Sequence, residues 1–413
     1  MLCNILLLSL TLSQQSDTLR LHSAEALDLA VQRSRVVAAA ESRSRAAVSG
    51  VDAARAWRNP TLSVTAENLG AQYQTTGQSG LAGTEGQATL SGWLPFGGDH
   101  GAGVRQAEAL ARTASATRDL SEQAVRAVTV ATIAAASRDV AVARNARDEA
   151  AALEHFGSDM TRRAEEGRTP GGEAARARLE ATVAAARAAR RAAEAAASTS
   201  ELRRLLFVAP DTILLVEAEA CSVTTPATGR VAELVVADAQ VDAARAQADL
   251  THARGVPDLW PQVGLRRTAG FSGLLLGFSI DIPLLNSGGA ATASARAEAD
   301  AALAEREELG RRITADLAGA QLALAELEAA GRRFGPAWSA DLEGTVTAAE
   351  ARYEAGEATL AELLDARRAR LAALDEYQTW RAERRFARAR LARLGGATID
   401  ATLLCDDDVR GAP

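Results

Sequence analysis

Apolar residues recur at helical spacing over most of this chain and at alternate positions in four short windows. A first helical stretch runs from about Ser23 to Trp57, with Glu25 in its opening turn, and Arg58-Asn59-Pro60 stops it. A counterpart runs from about Val231 to Arg254 and ends at Gly255-Val256-Pro257. Two longer runs, Ala102 to Arg163 and Ala290 to Tyr353, predict helices of about 62 residues, roughly 90 Å each. Gly157 is the main irregularity of the first, and Gly335-Pro336 predicts a break in the second. Each long run is followed by a glycine turn and a shorter return helix, about Gly172 to Leu206 and Ala358 to Leu394. Leu360, Leu363, Leu364, Leu371 and Leu374 mark the apolar stripe of the second return helix.

Between these helices the period drops to two. From Pro60 to Leu69, Leu62, Val64 and Ala66 alternate with Ser63, Thr65 and Glu67. From Gln87 to Leu94, Ala88, Leu90 and Leu94 alternate with Thr89, Ser91 and Trp93. Val263 and Leu265 alternate with Gln262 and Arg266, and from Gly273 to Pro283 Leu274, Leu276, Phe278, Ile280 and Ile282 alternate with Gly277, Ser279 and Asp281. These windows predict four half-buried strands of roughly ten residues. Gly70 to Glu85 reads as a solvent loop between the first two, and the second hairpin turns near Gly270 to Gly273. Trp93, at a strand end, is placed to anchor at a membrane interface.

The same order of elements occurs twice, and landmark residues repeat at nearly one separation. Val51-Asp52-Ala53-Ala54-Arg55-Ala56 recurs letter for letter as Val241-Asp242-Ala243-Ala244-Arg245-Ala246, 190 positions on. Pro95 and Pro283, each ahead of a glycine pair and a long helix, stand 188 apart, and the turn glycines Gly167 and Gly356 stand 189 apart. Three landmarks at one offset predict an internal duplication. The expected organisation is a signal segment over 1–16, a first repeat over 17–206, a linker over 207–229, a second repeat over 230–396 and a tail over 397–413. The apolar run Ile5 to Leu10 followed by Gln14-Gln15-Ser16 carries the signal reading, although a basic n-region is missing.

Composition narrows the class. The 413 residues are 47% hydrophobic but only 4% aromatic, so a compact core rich in large side chains is not expected, and closely packed Ala-rich helices are. All 46 basic residues are arginine, which we read as coding bias before function. A net charge of -7 argues against a nucleic-acid partner held through phosphates. No run approaches the ~18 to 20 apolar residues of a spanning helix. The four histidines are scattered, with no H-E-x-x-H, and Gly167 to Gly172 lacks the Lys-Ser/Thr of a phosphate loop. Gly101-Ala102-Gly103 lacks the third glycine of a dinucleotide fingerprint. No catalytic constellation, metal site or cofactor is expected. Of Cys3, Cys221 and Cys405 none forms a C-x-x-C pair, and two isolated thiols or a Cys221–Cys405 disulfide are the alternatives.

The most chemically pointed stretch is Arg352 to Asp365, where a helix arrives at Tyr353, Gly356 breaks it, and a second helix leaves with Glu362 and Asp365 three residues apart on one face. Acids in a first turn ordinarily serve the helix dipole; in a ring of copies they would also form an acidic collar. The ring follows from the strands. Outer-membrane strands are about 9 to 11 residues with alternating faces, four strands cannot close alone, and open edges are not tolerated in lipid. Three chains would supply about twelve strands, within the range of known barrels.

The Arg352–Asp365 motif, the paired halves, and Asn59-Pro60-Thr61-Leu62 leading to Leu94-Pro95-Phe96-Gly97-Gly98 resemble the outer-membrane efflux protein (TolC-like) family over about Leu19 to Gly396. Glu67 to Gly70 further resembles its heavy-metal branch. The resemblance implies a mainly α fold with a small β part. Its long antiparallel helices form a coiled-coil tunnel, an α-barrel, in the periplasm, and its four strands per chain join a homotrimeric, 12-stranded barrel in outer-membrane lipid. It implies a passive duct without catalysis, partnered by a periplasmic adaptor and an inner-membrane pump. Residue by residue, Glu362 and Asp365 match the family's acidic pore ring, and Tyr353 and Gly356 match its closing turn. In the first half Gly167 is the matching turn and Glu173 stands where Glu362 does. Arg176 occupies the place of Asp365, and Ala358 stands where family members place a basic gating residue. The alternative is a soluble periplasmic coiled-coil scaffold or adaptor protein, which explains the helices but not the strands.

Overall fold

The computed structural model describes residues 18–67, 85–209, 213–217, 229–268, 271–282 and 288–405. The predicted signal segment, the loop over 70–84, Cys221 and the acidic end of the tail lie outside the described residues. In chain order the elements are β1 (Thr18–His22), α1 (Ser23–Arg33), α2 (Arg35–Arg55), β2 (Thr61–Glu67), β3 (Glu85–Ser91), α3 (Asp99–Glu165), α4 (Gly171–Leu206), β4 (Ile213–Glu217), α5 (Ala232–Ala253), β5 (Leu259–Thr268), β6 (Phe271–Ile280), α6 (Gly289–Gly331), α7 (Pro336–Glu354) and α8 (Leu360–Leu394). Every predicted helix and strand is present, with differences in detail.

The helix expected from Ser23 to Trp57 is two helices. Ser34 takes extended backbone (φ -65°, ψ 119°), its N–H donates to the Val31 carbonyl, and its Oγ accepts from the Val37 N–H. One serine thus ends α1 and caps α2, as its short hydroxyl side chain favours. Gly157 does not interrupt α3, whereas the predicted break before Pro336 is present between α6 and α7. There Trp380 of α8 fills the gap: its Nε1 donates to the Leu327 carbonyl at 2.7 Å, and a Cβ on Gly331 would lie 2.2 Å from its ring. Phe334, Trp338 and Tyr377 complete that aromatic cluster.

Packing groups the chain into two compact units, each drawn from both sequence halves. One contains α1, most of α3, α4, α7 and α8. Its largest core joins Leu27 of α1, Val130 and Ile133 of α3, Leu202 and Leu206 of α4, and Ala392 of α8 to Ile399, Leu403 and Leu404. The start of the tail expected from 397 onward thus packs into this core. It makes a short 3-10 turn, Ala401–Leu404, capped by Asp400 accepting from the Thr402 N–H, and its apolar side chains are core. Cys405, which follows, is buried and disulfide-bonded. The strands β1 and β4, not foreseen, form a parallel pair with Thr18 opposite Ile213.

The other unit holds the four-stranded antiparallel sheet, in the order β2-β3-β5-β6. Its register sorts residues by face, because side chains directly opposite share one side. Leu62, Leu90, Val263 and Leu276 form one cross-strand row, and Val64, Ala88, Leu265 and Leu274 form the next. Ser63, Thr89 and Gly264 lie on the other face, as do Thr61, Ser91 and Gln262. The strands are thus segregated as predicted, but the apolar face is not half-buried. Leu62, Val64, Leu265, Leu274, Leu276 and Phe278 are each between 66% and 73% exposed. At one end of the sheet Trp93 is buried; its Nε1 donates to Asp258 at 2.7 Å and the Arg58 guanidinium lies 4.3 Å from its ring centre. The ring presented outward there is Trp57, stacked on His100, so the anchoring role expected of Trp93 does not suit its position.

Gly264 permits the close approach of β5 to β3: a Cβ there would sit 2.3 Å from the Ala88 carbonyl oxygen and 2.9 Å from the Thr89 Cα. Gly264→Ala should cost about 1–3 kcal/mol and reduce the fraction of folded, heat-modifiable protein on unheated gels. Gly92→Ala, where nothing lies within 4 Å of the added carbon, should be neutral; equal behaviour of the two would contradict this account of the register.

Candidate functional site

The two helix turns singled out in the sequence adopt one backbone motif. After α7, Gly356 takes φ +76°, its N–H donates to the Tyr353 carbonyl, and the Glu357 N–H donates to the Arg352 carbonyl. After α3, Gly167 takes φ +71°, with the Gly167 N–H on the Ala164 carbonyl and the Arg168 N–H on the Arg163 carbonyl. This is the Schellman ending, in which a left-handed residue turns the chain so that two late amides satisfy otherwise orphaned carbonyls. Glycine is favoured because a Cβ penalises that conformation by roughly 1–2 kcal/mol.

The helices that leave the turns begin differently, and this separates the fates of the two equivalent glutamates. Thr359 precedes α8. Its Oγ1 accepts from the Glu362 N–H at 3.3 Å, and its own N–H donates to Glu362 Oε2 at 2.7 Å. That is a capping box, and Thr359-x-x-Glu362 is its sequence signature. The two hydrogen bonds from Thr359, backbone first, hold the Glu362 carboxyl below the usual carboxylate range. Pro170 precedes α4 and has no N–H to offer, so Glu173 has no reciprocal cap. Instead Glu173 Oε2 accepts from the Tyr353 hydroxyl at 3.3 Å. The same hydroxyl lies 3.3 Å from Met160 Sδ, but its single proton favours the carboxylate. Burial first, and Glu173 second, push the Tyr353 phenol up, so it stays a donor through neutral pH.

Apolar packing fixes these groups. Leu360 and Leu364 of α8 bury against Leu153 of α3 and Ala184 of α4, with Phe156 and Tyr353 against the same cluster. Met160 of α3 packs on Ala174 and Ala177 of α4. Of the expected site residues, Tyr353 and Glu173 therefore touch, and Gly356 and Gly167 shape the turns. Glu362 and Asp365 project from α8 into solvent, each with its own partner. Asp365 Oδ1 accepts from Arg368 Nη1 at 2.9 Å, and Arg368 also pairs with Glu180 of α4.

One turn further along α8, Arg367 is nearly buried and pairs with Glu149 of α3 at 3.5 Å and with Glu350 of α7. Burial pushes the Glu149 carboxyl up, against the opposing pull of Arg367. Thr359, Arg367 and Arg368 were not among the residues expected at the site. Thr359 had a readable signal in its spacing to Glu362, and Arg368 stands three residues from Asp365. Glu149 and Arg367, 218 positions apart, had none. Among the described residues no group of three or more His, Cys, Asp or Glu side chains could hold a metal ion. No described helix is long and apolar enough to cross a membrane.

The paired turns, the capped return helices and the four-stranded sheet with an outward apolar face can be compared with known proteins. Residues 227–397 match the outer membrane efflux protein family. The sequence resemblance thus holds over the second half of the chain, where the Tyr353–Asp365 turn lies. No curated protein matches the sequence. Solved structures extend the likeness of fold to nearly the whole chain. The outer membrane protein VceC from Vibrio cholerae aligns with a TM-score of 0.72 at 19% identity, over 91% of this chain and 96% of that one. The CmeC outer membrane channel of Campylobacter jejuni aligns with 0.76 at 13% identity, over 93% and 90%. CusC, described in terms of transmembrane channel formation, aligns with 0.72 at 17% identity, over 94% and 96%.

Two tests follow from the geometry. Tyr353→Phe keeps the packing on Phe156 but removes the bond to Glu173, and should lower stability by about 1 kcal/mol in denaturant unfolding. The phenol's folded pKa is raised, so this contribution is complete below the unfolded tyrosine value of about 10 and lost as pH rises through the folded one; a difference confined to acid pH would contradict it. Arg367→Met leaves Glu149 buried without its cation and should cost about 3 kcal/mol, while adding Glu149→Leu should recover most of it. Because the charged form of Glu149 is the costly one, the deficit should shrink as pH falls through its raised value. A pH-independent deficit would mean the loss is one of packing alone.

Proposed function

We propose that the chain is the outer-membrane channel of a tripartite efflux system, a passive exit duct fed by an inner-membrane pump through a periplasmic adaptor. The observation that carries this reading is the sheet. It presents a continuous apolar face, on which six large side chains are about two-thirds exposed, and among the described residues it ends in two strands, β2 and β6, each paired on one side only. In water such a face and such edges invite aggregation. In a bilayer the face is matched by hydrocarbon, and the edges are satisfied only if copies of the sheet join end to end into a closed barrel. Three copies give about twelve strands, with the polar rows that include Thr61, Thr89 and Gln262 turned to the lumen. A soluble scaffold would account for the helices but would leave this face without a partner. The match of residues 227–397 to outer membrane efflux proteins and the fold shared with VceC and CmeC support the same reading.

Within it, the helix turns of α3 to α4 and α7 to α8 form the periplasmic entrance, with Tyr353, Gly356 and Gly167 shaping it and Glu362, Asp365 and Glu173 lining it. Internal duplication accounts for the shared backbone. Left-handed residues occur in matched pairs 189 or 190 positions apart: Gly98 with Gly288, Gly167 with Gly356, and Phe207 with Gly396. The protein purified in detergent should migrate as a heat-modifiable trimer and give discrete unitary conductances in planar bilayers. A monomer that stays soluble without detergent and conducts nothing would refute the proposal.

A further inference from the structure

Arg368 of α8 bridges two carboxylates, one of which is the exposed Asp365. Its Nη1 donates to Asp365 Oδ1 at 2.9 Å, and its Nη2 pairs with Glu180 on α4. Asp365 remains largely exposed, whereas Glu180 is mostly covered. The guanidinium is held on one side by a mostly covered carboxylate and donates through Nη1 to a solvent-facing one. A planar fork with several donors suits this, where a lysine would offer only a point charge. The Glu180–Arg368–Asp365 group carries one net negative charge instead of two. The position 189 residues before Asp365, at the matching place in the second turn of α4, is Arg176, also exposed. The other acids of the turn are Glu354, Glu357 and Glu362, all exposed, and the Glu362 carboxylate is hydrogen-bonded to Thr359.

We infer that Arg368 sets the charge of the entrance, so that the turn is a compensated ring with weak preference for cations instead of an acidic filter. This rests on the channel reading proposed above and deepens it: Arg368 is a specificity-determining residue, and its effect is through the field at the mouth and not through folding. An exposed ion pair contributes little stability, so removing Arg368 leaves the helix packing of Leu360, Leu363 and Leu364 in place. A unit charge within a few ångströms of a narrow conducting path nevertheless changes local counter-ion concentration several-fold. The compensation is built from α4 and α8 together, because Glu180 fixes the arginine that Asp365 then shares.

The test is the reversal potential of the purified protein in planar bilayers under a potassium chloride gradient, with heat-modifiable migration confirming that each variant is folded. Arg368→Gln should raise the potassium over chloride permeability ratio by about two-fold or more. Arg368→Lys keeps the charge and should leave the ratio at its original value. Asp365→Asn should lower it, and Asp365→Asn with Arg368→Gln should return it close to the original. A ratio that responds to Asp365→Asn but not to Arg368→Gln overturns the role of Arg368 and leaves the channel intact. A ratio unmoved by any variant takes this turn out of the conduction path and overturns the inference as well. Absence of conductance in the unaltered protein would overturn the channel reading itself.

Discussion

The constraint on which the rest depends is the hydrogen bonding of a sheet with two open edges. Backbone N–H and C=O groups cannot be left unpaired in hydrocarbon, where water is not available to satisfy them. Four strands of seven to ten residues supply an apolar face wide enough to meet lipid but no means of closing on themselves. In the proposed channel, the requirement for further copies would therefore be set by backbone chemistry and not by side-chain preference. Gly264 belongs to the same economy: it brings β5 close enough to β3 for a regular ladder at a place where a methyl group would collide with the Ala88 carbonyl.

How the chain could specify this with few large side chains follows from its helices. Alanine at buried positions such as Ala177, Ala134 and Ala392 lets helix axes approach closely, so contact is made along great lengths with little volume per residue. Where the pattern is interrupted, a large residue from elsewhere fills the space, as Trp380 does against Gly331. Where it must turn back, a left-handed residue ends the helix. Gly167, Gly356 and Gly396 do this without strain, while Phe207 performs it at a cost. Arg33 donates to the Leu206 and Phe207 carbonyls at that end, satisfying groups the strained turn leaves open.

Much of the fold was legible because its signals are local and periodic. The change from period 3.6 to period 2 located all four strands of the sheet, and Gly335-Pro336 announced the break before α7. The elements that escaped rely on distant partners. The parallel pairing of β1 with β4 joins residues almost 200 positions apart, and neither strand is long enough to show alternation. The burial of Ile399, Leu403 and Leu404 could not be read from a short apolar segment beyond the last helix, because its complement lies in α1, α3 and α4. Trp93 misled for the same reason. An aromatic residue at a strand end fits a membrane belt, but Asp258 and Arg58 are what its ring actually meets.

At the candidate site the residue types were legible, but the partition of their labour was not. Glu173 and Glu362 occupy equivalent positions in two similar turns, so pattern alone assigns them one role. A single difference one turn earlier separates them. Thr359 has an N–H and a hydroxyl, and it engages the Glu362 carboxylate in closing the end of its own helix. Pro170 has neither, and Glu173 is left to accept from Tyr353, which arrives from the other half of the chain. A proline against a threonine at the helix start thus converts one carboxylate into a local cap and the other into a link between the two turns. If the halves began as copies, this is the kind of change by which a symmetric pair acquires distinct functions. The backbone motif is retained, the cap is altered, and a side chain that served its own helix becomes available to its neighbour.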